Sequence, residues 1–148
     1  MRNKIHIIEV ENNETQSVEK IIGKIRENKI IYIKNKFYED HEVTDSTTEN
    51  GPAIILKSSG SSGKPRLCFH HLNNLKLAAS TSGQWLKEQG FELQNCLIFN
   101  TLPLNHISGL MPIFRSQTWG CDCNNISPHL IKKTRELLLF TIKSKKNS

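Results

Sequence analysis

Ala53-Ile54-Ile55-Leu56-Lys57-Ser58-Ser59-Gly60-Ser61-Ser62-Gly63-Lys64-Pro65-Arg66 carries an apolar run straight into glycine, serine and base. Residues 53–57 read as a buried strand, and Ser58 to Arg66 as a loop that cradles phosphate at the strand's carboxyl end. Glycine lets the backbone turn at positive φ and approach a ligand closely. Successive backbone N–H groups then form an anion nest, to which serine hydroxyls add neutral donors. Lys64 and Arg66 supply cationic groups, and Arg66 can hold a phosphate through two parallel hydrogen bonds. The common P-loop is a different pattern: it needs four residues between its glycines and a Ser or Thr after the lysine. Here two residues separate Gly60 from Gly63, and Pro65 follows Lys64. A flexible Ser/Gly linker is the other reading of this composition. The strand ahead of the loop and the basic pair at its end favour the cradle.

Outward from the loop the chain alternates. Val18, Ile21, Ile22 and Ile25 fall at helical spacing behind Ser17, a candidate N-cap. Ile30 to Ile33 form a β-branched strand candidate, and 35–50 is a polar, acidic loop. A helix is predicted from about His70 to Gln89, then a strand over Cys96–Thr101 and a helix over 107–118. A strand near 121–123 follows, and Ser127-Pro128 opens a last helix with proline in its first turn. Strands alternating with helices imply an α/β sheet with right-handed crossovers. In such sheets ligands bind at the carboxyl ends of strands, where both the glycine loop and Leu102 to His106 fall. The two segments are therefore expected to share one site. Trp85 and Trp119 read as core aromatics with one polar edge.

A chain of 148 residues is expected to be one domain. The net charge of +6 and a pI near 9.2 raise nucleic acid as a partner. Lys132-Lys133 and Lys143 to Lys146 hold much of the excess, without zinc spacing or aromatic interleaving. A solvated face and a charged tail are the favoured reading, with no nucleic-acid partner. No apolar run reaches the ~20 residues that span a bilayer. Met1 to His6 carries charge but no sustained apolar segment. Neither a membrane nor a secretory route is expected, which points to the cytoplasm. Cys68, Cys96, Cys121 and Cys123 lack the paired spacing of a zinc site and read as buried small hydrophobes, with no metal assigned.

Ser58 to Arg66 resembles the nucleotide-phosphate signature of the adenylate-forming acid–CoA ligases, the AMP-binding superfamily. That signature runs Thr/Ser-Ser-Gly-Ser/Thr-Thr/Ser-Gly-x-Pro-Lys-Gly, and the chain departs only where Arg66 and Leu67 replace its Lys and Gly. Leu102-Pro103-Leu104-Asn105-His106-Ile107-Ser108-Gly109-Leu110 is similar to a second signature, Pro-Leu-Phe-His-x-x-Gly-Leu, with Asn105 in place of its aromatic. The His-Ile-Ser-Gly-Leu wording and Arg115 look most like the o-succinylbenzoate–CoA ligase branch of menaquinone and phylloquinone synthesis. The resemblance covers roughly residues 15–140.

The resemblance implies a partial N-terminal subdomain of the acyl-CoA synthetase-like large domain. It also implies an ATP-dependent reaction with Mg2+: a carboxylic acid attacks the α-phosphate of ATP, and CoA then displaces AMP from the acyl-adenylate. Ser58, Ser59, Gly60, Ser61, Ser62, Gly63, Lys64 and Arg66 would surround the β- and γ-phosphates, and His106 would sit beside the acyl-adenylate as the catalytic residue. His70 and His71 lie where the family often has a helix histidine. The Tyr-Gly-x-Thr-Glu element, the ribose aspartate, the hinge and the C-terminal lysine domain are not among these residues. The expectation is thus a truncated ligase domain over 1–148, inactive alone, with a separately encoded remainder as partner if the gene is split. A polyphosphate-binding remnant without catalysis, or the product of a disrupted gene, is the alternative.

Overall fold

The computed structural model of the protein describes residues 3–11, 15–37, 46–47, 51–58, 66–126 and 133. Along them run β1 (Asn3–Val10), α1 (Thr15–Arg26), β2 (Ile30–Asn35), β3 (Ser46–Thr47), β4 (Ala53–Ser58) and β5 (Arg66–His71). Then come α2 (Leu72–Glu88), a 3-10 turn at Leu93–Asn95, β6 (Leu97–Asn100), α3 (Ile107–Trp119) and β7 (Asp122–Asn125). The larger sheet has the order β3-β1-β2-β4-β5. Its three inner strands are parallel, whereas β3 and β5 pair antiparallel at the two ends. The α/β class expected from the alternation is the one observed.

β2 and β4 open on unbroken apolar runs because both of their faces are buried. On one face Ile8, Val10, Ile31, Ile33, Ile54 and Leu56 form the core with residues of all three helices. On the other, Ile5, Ile30, Tyr32 and Ile55 form a second cluster. Ile31, Ile54 and Ile55 are wholly inaccessible, and each such side chain stabilises the fold by about 1.5–3 kcal/mol. On α1 the predicted stripe holds: Ile21 lies in the core and Val18, Ile22 and Ile25 pack against it.

Several expectations are corrected. Ser17 does not cap α1: the helix begins at Thr15, and Ser17 is buried within its first turn. β1 was not expected, because Lys4, His6 and Glu9 interrupt its isoleucines. The chain also does not pass from the glycine loop into a helix. It first forms β5, which pairs with β4 over six residues. β6 pairs in parallel with β7 in a separate two-stranded sheet, so β4 and β6 are not strands of one sheet. Trp85 is exposed (59%). Trp119 is half-buried and donates its indole N–H to the Ala79 carbonyl at 2.8 Å, joining α3 to α2. The four cysteines are only half-buried, and all are free thiols. The expected last helix from Ser127, the basic tail and most of the 35–50 loop lie outside the described residues.

Candidate functional site

β4 and β5 pair from Ala53↔His71 to Ser58↔Arg66, so the two ends of the glycine loop sit opposite each other in one ladder. Directly opposed residues are about 4.5–5.5 Å apart between Cα atoms. The Ser58 hydroxyl and the Arg66 guanidinium thus issue from neighbouring points at the carboxyl end of β4, with Arg66 exposed and Ser58 half-buried. Ends fixed in one hairpin do not belong to a spacer between domains. Ser59, Gly60, Ser61, Ser62, Gly63 and Lys64 lie outside the described residues.

The hairpin also decides which helix can serve the site. β5 returns the chain to the amino end of β4, where the Leu72 N–H donates to the Pro52 carbonyl at 3.1 Å. The start of α2 is therefore a full strand length away from the loop, and its N–H groups and dipole do not reach it. His70 and His71 are likewise at that far end, closing β5 rather than opening a helix beside the loop. Burial holds the His70 imidazole below its ordinary value.

The second motif is organised by Asn100, which sequence reasoning did not single out. Its buried amide donates to the Gly109 carbonyl and to Asn125 Oδ1, both at 2.8 Å. Its Oδ1 accepts from the Leu102 N–H at 3.2 Å. An asparagine ending the apolar run Leu97-Ile98-Phe99 was the available signal. Beyond it, Leu104 is buried in the cluster that contains Ile54 and Leu56 of β4, and α3 begins at the residue after His106. The His106 N–H donates to Pro103 at 3.1 Å, and its carbonyl accepts from the Gly109 and Leu110 N–H groups at 3.0 and 3.1 Å. Its side chain makes no capping bond and is exposed. Gly109 is obligatory here: a Cβ would stand 2.6 Å from the Leu102 carbonyl oxygen and nearer still to that of Pro103. The His-x-x-Gly spacing thus lets the loop backbone lie on the first turn of α3.

The structure brings Leu104 into the core behind β4 and leaves the His106 side chain exposed. Among the described residues no hydrogen bond or ion pair joins His106 to Ser58 or Arg66. Arg115 is nine residues along α3 from His106, about 13 Å at the helical rise. Its Nε is buried without a hydrogen-bond partner among the described residues, and its guanidinium carbon lies 6.0 Å from the centre of the Trp119 ring.

The thiols are poor candidates for chemistry. Burial, then the neighbouring Cys121, pushes Cys123 up to about 11. Burial, Cys96 and Asp122 raise Cys121. Both remain protonated at neutral pH, the unreactive form. Among the described residues no three His, Cys, Asp or Glu side chains converge on a metal position, and no helix is long and apolar enough to cross a membrane.

The mixed α/β fold is similar to part of a larger solved enzyme. The chain is similar to o-succinylbenzoate CoA synthetase from Bacillus subtilis in complex with the acyl-adenylate intermediate. The identity is 16% and the TM-score 0.53, over 92% of this chain and 48% of that one. Against the same synthetase with ATP and magnesium ion the identity is 14% and the TM-score 0.51, over 90% and 48% of the two chains. Against its AMP complex they are 17% and 0.51, over 84% and 34%. The chain spans less than half the length of these solved structures. No family model and no curated protein matches the sequence.

Proposed function

We propose that this chain is the phosphate-binding, N-terminal part of an ATP-dependent, adenylate-forming acid–CoA ligase, with o-succinylbenzoate as the acid. The observation that carries the reading is the Ser58↔Arg66 pairing. It closes the signature loop as a hairpin at the carboxyl end of β4, in a fold shared with the synthetase described above. Ser58 and Arg66 anchor the loop, and Arg66 takes the position of the family lysine. Because a guanidinium is a planar fork and an ammonium a point charge, Arg66 grips two phosphate oxygens where lysine would face one. Ser59 to Lys64 supply the remaining donors to the β- and γ-phosphates, and His106 at the start of α3 faces the acyl-adenylate.

Magnesium fits this arrangement as a companion of the nucleotide. It usually binds through one or two carboxylates and substrate phosphates rather than a protein cage. Bound there, it would neutralise charge on the phosphates. The cytoplasm, which holds ATP and CoA, is the proposed location.

The same Ser58↔Arg66 hairpin also suits a second reading, a polyphosphate binder with no ligase chemistry. Titrating ATP with and without o-succinylbenzoate separates the two. A ligase part binds ATP more tightly when the acid is present, because the two meet at one site. A polyphosphate binder takes ATP and pyrophosphate alike and ignores the acid, and that result would overturn the ligase reading.

A further inference from the structure

We propose a second anion site, specific for a phosphate dianion on a small molecule, in the cleft between the first half of β1 and the last half of α1. Strand alternation turns Lys4 and His6 to the side of β1 that carries Ile8 and Val10, the side that α1 covers. On α1, Lys20, Gly23 and Lys24, with Glu27 just past its end, follow at three- and four-residue spacing along one stripe. Where Ile8 and Val10 meet Ile21 the contact is dry core. Towards the amino end of the strand it opens into a cleft of about 610 Å³ lined by these four residues with Lys4 and His6. Gly23 keeps it open, since a Cβ there would meet nothing within 4 Å.

The charges in this cleft do not balance. Among the described residues Glu27 is its one acid, already bound to Lys24 at 2.8 Å. Lys4 and Lys20 have no ion-pair partner among the described residues. His6 is held below its ordinary value first by burial and then by Lys24, Lys4 and Lys29, against the weaker opposing pull of Glu27. Two unpaired ammonium groups beside an imidazole match a doubly charged oxyanion with three acceptor oxygens better than they match a single carboxylate. The volume falls within the ~300–1,000 Å³ of small-molecule sites, and the buried Ile8 in the lining suits an organic group on the phosphate.

This site is separate from the glycine loop. His6 is level with Ile31 and Ile54 across the sheet, and Ser58 lies four residues further along β4, about 13 Å at the strand rise.

The test reads His6 itself, by histidine-ring NMR of the whole 148-residue chain. Inorganic phosphate and phenyl phosphate are the probes, at ionic strength fixed with chloride. The expected result is a saturable shift of the His6 ring signals with a rise in its pKa, because a bound dianion favours the imidazolium. A response to phosphate alone assigns free phosphate as the ligand, and a response only to phenyl phosphate assigns a phosphate monoester. Lys20→Gln with Lys24→Gln should weaken binding about tenfold or more. Gly23→Leu, which fills the cleft without removing charge, should abolish it, while Lys87→Gln on the distant α2 changes nothing. His6 signals that stay still, that follow chloride equally, or that respond undiminished in the double and Gly23→Leu variants would overturn the proposal.

Discussion

Asn100, which is buried, and His70, which is half-buried, show how much a single polar side chain decides in this protein. Asn100 ties the end of β6 to the first turn of α3 and to β7 through side-chain bonds at 2.8, 2.8 and 3.2 Å. Asn100→Ala strands the Gly109 carbonyl and the Leu102 N–H. Each buried group left without a partner costs about 1–3 kcal/mol. Urea unfolding should show a loss of about 2–4 kcal/mol, a large share of the stability of a domain this size; a change too small to resolve would mean that water replaces the amide. His70 acts through protons. Its folded value is below the ordinary 6.5 because of burial, so as pH falls through that value the unfolded chain takes up a proton before the folded one. Stability is therefore complete above about pH 6.5, falls below it, and levels once the folded form titrates as well. His6, lowered likewise, adds to the slope. Denaturation midpoints between pH 7.5 and 5.5 should fall, and less steeply in His70→Gln. An identical slope in that variant would remove His70 from the account.

Among the elements, the junction of the Leu102–His106 loop with α3 depends on Gly109. Gly109→Ala places a methyl group against two carbonyl oxygens, a clash of the overpacking kind that costs about 1–3 kcal/mol. The expected outcome is a lowered unfolding midpoint with changed shifts at His106, and a native-like spectrum would show that the loop is free to move away. Periodicity made most elements legible: α1 from Val18, Ile21, Ile22 and Ile25, and β2, β4 and β6 from short β-branched or apolar runs. β1 was hidden because its two faces meet different neighbours, so charges fall between its isoleucines and no clean alternation survives. β5 was hidden for a different reason. Arg66 to His71 has no strong pattern of its own and becomes a strand because β4 offers it an edge, a tertiary effect that local propensity does not contain. That one strand moved α2 away from the glycine loop. At the site, the two motifs announced themselves by composition, whereas Asn100 showed only as an amide at a strand end.

The whole molecule places three helices on one face of the main sheet and none of the described helices on the other. At the margin of that second face Ile7 is 44% exposed and Leu67 and Phe69 37% each. β5 also ends the strand order. An open edge with exposed apolar side chains favours association between chains. Leu67→Lys with Phe69→Lys should raise the concentration at which the chain stays monomeric in sedimentation, with little change in melting temperature. Unchanged association would place the contact elsewhere. The central claim concerns the opposite quality, a loop shaped for one ligand. It is tested most directly by calorimetric titration of pyrophosphate, on a Gly23→Leu background so that the β1–α1 cleft is silent. Arg66→Ala removes a cation that can bind in bidentate fashion, a loss of roughly 1.5–3 kcal/mol. Gly63→Val leaves every charge in place and restricts the backbone at the loop's second glycine. The account predicts saturable binding that falls about tenfold to a hundredfold in either variant. Binding that falls in Arg66→Ala but survives Gly63→Val, or that is absent from the unsubstituted loop, would contradict it.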